Sequence, residues 1–173
     1  MNNQKGYLLL EGVISLFIIV TISLSLYSFL FFSNKYKKAI EDNVELYEQG
    51  EEMYYQINKV IENSDGIISI RDLSGNTIYG DTSSYIKVNS IKCRYKNEYR
   101  NIKDKEISYK SNKKLFINTL NSSGGSEAGG YEIGDYVDFI SVMIKDNKVS
   151  VRLNLNKNDE KYETEFKSYV RDF

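Results

Sequence analysis

Histidine, proline and tryptophan are missing from the 173 residues, and cysteine occurs once, at Cys93. Without histidine the chain lacks the usual general base at neutral pH and the commonest zinc ligand. A lone cysteine closes no internal disulfide and builds no thiolate metal cage. Neither sign of charge is in excess: the formal net charge is −1, so no basic field is available to capture nucleic acid. No clustered nucleophile and base stand out either, so the chain is read as not an enzyme, with no cofactor and no metal. The length allows one ordinary domain, or a smaller domain plus an anchor.

What the chain does have is a long apolar run. The 21 residues from Gly12 to Phe32 carry no charge and are mostly Leu, Ile, Val and Phe, broken only by Ser15, Thr21, Ser23, Ser25 and Ser28. As a helix this run covers roughly 30 Å, the thickness of a bilayer's hydrocarbon core. Small hydroxyls can bond to the helix's own carbonyls, so they are tolerated in lipid. The run leads into Ser33-Asn34-Lys35-Tyr36-Lys37-Lys38, which offers no small-residue site for a signal peptidase. The segment is therefore expected to stay attached and to span a membrane.

Upstream lies a six-residue polar leader, Met1-Asn2-Asn3-Gln4-Lys5-Gly6, followed by Tyr7-Leu8-Leu9-Leu10-Glu11. Glu11 stands one turn inside the apolar helix, and an ionised carboxylate at mid-depth in a bilayer costs about 2.5–3.5 kcal/mol or more. Such a residue is a candidate functional site that needs a partner. Lys5-Gly6-Tyr7-Leu8-Leu9-Leu10-Glu11, continued by about twenty apolar residues, resembles the class III signal of type IV pilins and pseudopilins. In that family a membrane-embedded prepilin peptidase cuts after the glycine and methylates the new N-terminal residue. The resemblance implies cleavage between Gly6 and Tyr7, N-methylation of Tyr7, and a mature chain of 167 residues with Glu11 at its fifth position. Phe is commoner in the family where this chain has Tyr7, and another aromatic keeps the apolar bulk.

The family's logic has a physical basis. Cleavage leaves an α-amine on Tyr7 that is cationic at neutral pH and stays basic when methylated. In a packed helix bundle that cation and the carboxylate of Glu11 from a neighbouring subunit attract strongly, which sets axial register. The implied partners are the prepilin peptidase, other pilin subunits, an inner-membrane assembly platform, and membrane lipids before assembly. Lys35, Lys37 and Lys38 follow the span, so a simple positive-inside count would place the C-terminal side in the cytoplasm. The family keeps its leader in the cytoplasm and exports the rest. The family orientation is adopted here because the leader must face its peptidase.

Past the span the helix is expected to continue to about Asn63, giving 57 residues from Tyr7 and roughly 85 Å. Ile40, Val44, Tyr47, Tyr54, Ile57 and Ile61 recur at spacings near three and four and predict its inward stripe, opposite a solvated acidic face. Asn63-Ser64-Asp65-Gly66 reads as the stop. Short β-branched and aromatic segments follow at 67–71, 85–88, 91–95, 106–109 and 115–120. Val149, Val151, Leu153 and Leu155 alternate with polar residues, a strand expected to pair with 137–145 across an Asp146-Asn147 turn. Residues 162–170 supply a final strand.

The expected organisation is thus a cleaved leader at 1–6, a transmembrane and filament-core helix at 7–32, an amphipathic continuation at 33–64, and an exported β-sheet domain at 65–173. The fold class is α+β, a long N-terminal helix on an antiparallel sheet, pilin-like. A flexible Gly/Ser loop is expected at 121–130. Glu127, Glu132, Asp135 and Asp138 lie nearby, but their spacing matches no hand-type calcium loop. Cys93 reads as a small buried hydrophobe. The resemblance implies a structural subunit carried first in the cytoplasmic membrane as a single-pass protein and then in a cell-surface filament. Without a disulfide loop or a helix-kinking proline, a minor pilin or pseudopilin is preferred to a major one. The alternative is a single-pass membrane-anchored extracellular binding module that never polymerises.

Overall fold

A computed structural model describes residues 3–96, 102–121, 125–127, 130–146 and 148–169. The fold is α+β, one long N-terminal helix followed by an antiparallel, curled sheet. The helix α1 (Asn3–Glu62) precedes β1 (Gly66–Asp72), β2 (Thr77–Ile78), β3 (Ile86–Lys96), β4 (Ile102–Lys110), β5 (Lys114–Leu120), β6 (Tyr131–Gly134), β7 (Val137–Lys145), β8 (Lys148–Lys157) and β9 (Glu160–Tyr169). The chain divides into two compact units, Met1–Glu41 and Asp42–Phe173, so the second unit begins within the helix.

No proline interrupts α1, and its termination follows the expected polar stop. Beyond Glu62 the Asn63 side-chain amide donates to the Lys59 carbonyl at 2.9 Å, and the Ser64 hydroxyl donates to the Ile61 carbonyl at 2.6 Å. These bonds occupy carbonyls that a helix end leaves without intrahelical partners.

In the second unit the strand order is β6-β5-β4-β3-β7-β8-β9, with β1 added to β3 and β2 to β1. The two expected segments at 85–88 and 91–95 are one strand, β3, whose start pairs with β7 (Ile86↔Val142) and whose remainder pairs with β4 (Ile91↔Ile107). The β7–β8 hairpin has the expected register, Val142↔Val151 and Ile144↔Val149, and Asp146 in its turn has φ of 51°. Asn147 and half of the Gly/Ser loop, residues 122–124 and 128–129, lie outside the described residues. The β8–β9 turn places Asn158 and Asp159 both at positive φ, 49° and 72°, as a two-residue hairpin of the favoured twist requires. Short strands β2 and β6 were not anticipated from the sequence.

Segment Asp42–Glu62 of α1 packs on the sheet: Ile57 and Ile61 of the expected stripe are buried and Tyr54 packs against the core, but the N-terminal half of that stripe is not inward. Leu46, Met53, Ile57, Val60 and Ile61 are buried with Gly50 between them, whereas Ile40, Val44 and Tyr47 are more than half exposed. The reason is local. A buried Asp42 and a glycine occupy two turns of the true inward face, so over those turns hydrophobicity alone points to the wrong residues. Gly50 is where the Tyr162 ring meets the helix backbone: a Cβ built there would stand 2.8 Å from Cδ1 of the ring. Opposite the helix the core is filled from β3, β4, β5, β7 and β8, including Ile91, Ile107, Ile117, Val142, Val151 and Leu153.

Candidate functional site

The first unit is helical throughout its described residues, and its apolar side chains find no cover within that unit. From Tyr7 to Phe32 the large apolar residues range from 46% exposed at Val20 to 74% at Leu9. A helix hydrophobic all round is stable only when lipid or other protein surrounds it. α1 is long and apolar enough to cross a membrane. Its internal hydroxyls are accommodated as lipid demands. Thr21 Oγ1 donates to the Phe17 carbonyl at 2.8 Å, and Ser25 Oγ donates to the Thr21 carbonyl at 2.9 Å.

Gly6, Tyr7 and Glu11 all fall in this unit and all are exposed. Gly6 is helical, and a Cβ added there would meet nothing within 4 Å. Nothing in the described structure therefore requires a glycine at that position, although glycine inside a helix costs about 1 kcal/mol against alanine. Tyr7 and Glu11 are four residues apart and share one helix face, one turn apart. The carboxylate of Glu11 has no hydrogen bond or ion pair among the described residues.

The second unit carries its own ionic cluster, which the sequence did not reveal. Lys157, at the end of β8, places Nζ 3.1 Å from Asp42 Oδ1 and against Glu45 Oε2, with the Tyr136 ring 4.8 Å away. Asn158 donates to Asp42 Oδ2 at 3.0 Å, and Asn43 donates to Glu160 Oε2 at 3.0 Å. Hydrogen bonds from Lys157 and Tyr136 hold the Glu45 carboxyl below its ordinary range. The partnership with Glu45, and then Asp42, raises the Lys157 ammonium. The cluster fastens the β8–β9 hairpin to the helix, and all its charges are answered. It is a structural tie, recognisable in sequence only as acidic residues in an otherwise inward position.

The acidic residues near the Gly/Ser loop do not converge. Glu127 pairs with Lys103 at 2.9 Å, while Glu132 and Asp135 both pair with Lys114 at 2.8 and 3.3 Å. No group of three potential metal ligands occurs among the described residues. Cys93 is fully buried between β1 and β4, and that burial pushes its thiol up to about 12. A thiol so held is inert as a nucleophile at neutral pH. Comparison of the chain with protein-family models, with curated proteins and with solved structures gives no match.

Proposed function

We propose that this protein is a structural subunit, a minor pilin or pseudopilin, of a type IV pilus or related filament. In this reading a prepilin peptidase cuts after Gly6 and methylates Tyr7, and the apolar helix then enters a bundle of other pilin subunits. The observation that carries the reading is Glu11: a carboxylate with no partner among the described residues, on an exposed apolar helix, five residues beyond a glycine whose Cβ position is open. Removing residues 1–6 makes Glu11 the fifth residue of a helix whose N-terminus bears positive charge from both the amine and the peptide dipoles. Within a bundle the amine of a neighbouring Tyr7 supplies the missing partner, and the pair defines the stagger between subunits.

Before assembly the subunit is a single-pass protein of the cytoplasmic membrane, with its leader toward the cytoplasm and the sheet exported. After assembly it lies in a cell-surface filament, delivered there by the inner-membrane platform.

The test is Glu11→Ala in a cell that builds the filament. The variant should be cleaved and membrane-anchored like the parent yet be lost from the sheared filament fraction. Equal incorporation of variant and parent would remove Glu11 from assembly. A parent chain that stays in the membrane fraction alone would point instead to an anchored binding module.

A further inference from the structure

The exit end of the span has a chemistry of its own. Tyr27, Phe29, Phe31, Phe32 and Tyr36 crowd into ten residues and are all more than half exposed. Lys35, Lys37 and Lys38 flank Tyr36 and are exposed too. At 100° per residue Lys35 and Lys38 stand about 60° apart and Lys37 about 100° from Lys38, so the three form a half-collar on one side of the helix. If Phe32 marks the edge of the hydrocarbon, the collar lies about 5–9 Å above it, within the headgroup layer. Aromatic rings with long cationic chains just beyond them are what a membrane–water boundary favours.

Charge decides what the collar can hold. Lys37 shares its ammonium with Glu41 at 3.7 Å, while Lys35 and Lys38 have no ion pair among the described residues. A shallow apolar groove walled by Phe29, Phe32, Tyr36 and Ile40 carries both Lys37 and its partner Glu41, so the uncompensated charge of the collar rests on Lys35 and Lys38. Apolar rings on the span with those ammonium groups just beyond match the polarity of an anionic phospholipid. A positive-inside count is at odds with these lysines on the exported side. A lipid partner gives them a purpose there.

We propose that Lys35, Lys37 and Lys38, with Tyr36, form a headgroup collar that selects anionic phospholipids of the phosphatidylglycerol type. The inference rests on the span, and the side of the membrane given to the collar rests on the proposed function; neither cleavage nor polymerisation is needed. The full chain, reconstituted in nanodiscs of equal phosphatidylglycerol and phosphatidylcholine, is released and weighed by native mass spectrometry with its retained lipids. The parent should retain the anionic lipid in preference by about fivefold for each lysine engaged. Single variants K35Q and K38Q, which leave the span intact, should lower that preference stepwise. The triple Lys→Gln variant should bring it near unity, and the triple Lys→Arg variant should keep it. Added inorganic phosphate should not compete, since it lacks the acyl chains that hold a lipid against the apolar span. No preference in the parent would overturn the proposal, as would a preference that survives the triple Lys→Gln change or that yields to free phosphate.

Discussion

Replacing Gly50 by alanine asks whether the helix and the β8–β9 hairpin meet as closely as described. On an open helix face Gly→Ala stabilises by about 1 kcal/mol. At Gly50 the new methyl would intrude on the Tyr162 ring, standing 2.8 Å from Cδ1. That ring is not free to swing away without loss. Its hydroxyl donates to Glu51 Oε1 at 3.2 Å, and its edge packs on Tyr47 with centroids 5.6 Å apart. Overpacking of this kind typically costs 1–3 kcal/mol, so G50A should be destabilised by about 0–2 kcal/mol net. With Tyr162→Ala already in place the obstruction is gone, and adding G50A should stabilise by about 1 kcal/mol. The two residues are in contact, so a coupling of about 1–3 kcal/mol is expected from the double-mutant cycle. Denaturant titration of the full chain in mild detergent, followed by near-ultraviolet tyrosine dichroism, measures each corner. A gain in stability from G50A alone, equal to its effect beside Y162A, would refute the close approach.

Three further predictions concern the helix and the buried cysteine. Leu46→Ala should cost about 2–5 kcal/mol in the same titration, while Ile40→Ala, on an exposed position, should stay within about 0.5 kcal/mol; the reverse order would mean that the other helix face is inward. Cys93, with its thiol raised to about 12 by burial, contributes stability that is complete below its ordinary value of about 9 and fades as pH rises toward 12. Alkaline loss of stability should therefore begin near pH 9 in the parent and nearer pH 10 in C93A, where tyrosines such as Tyr95 take over. Iodoacetamide should label Cys93 only as fast as the domain opens, and prompt labelling of the native chain would contradict its burial.

Much of this architecture was legible in the sequence because simple periods carry it. The charge-free run marks a helix long and apolar enough to cross a membrane, and the alternation through Val149, Val151, Leu153 and Leu155 marks β8, where those four residues are buried, though Ser150 on the other face is buried too. The polar cluster after Glu62 marks the helix stop. What escaped depended on distant partners. Asp42 lies inward only because Lys157, 115 positions later, neutralises it there. Gly50 is a poor helix former that owes its place to the Tyr162 ring seated against it. β2 and β6 are too short to show a period of two, and they exist by pairing with β1 and β5. Gly6, Tyr7 and Glu11 are the opposite case: their meaning lies in spacing along the chain, and the fold adds only that they are exposed and that Glu11 has no partner among the described residues.

The claim on which the functional account turns is cleavage after Gly6, and the N-terminus itself reports it. The full chain produced together with a prepilin peptidase is analysed by intact mass and N-terminal fragmentation. The account predicts a product of 167 residues that begins at N-methylated Tyr7. A chain that retains Met1 to Gly6, beside a control pilin cut by the same enzyme, would contradict it.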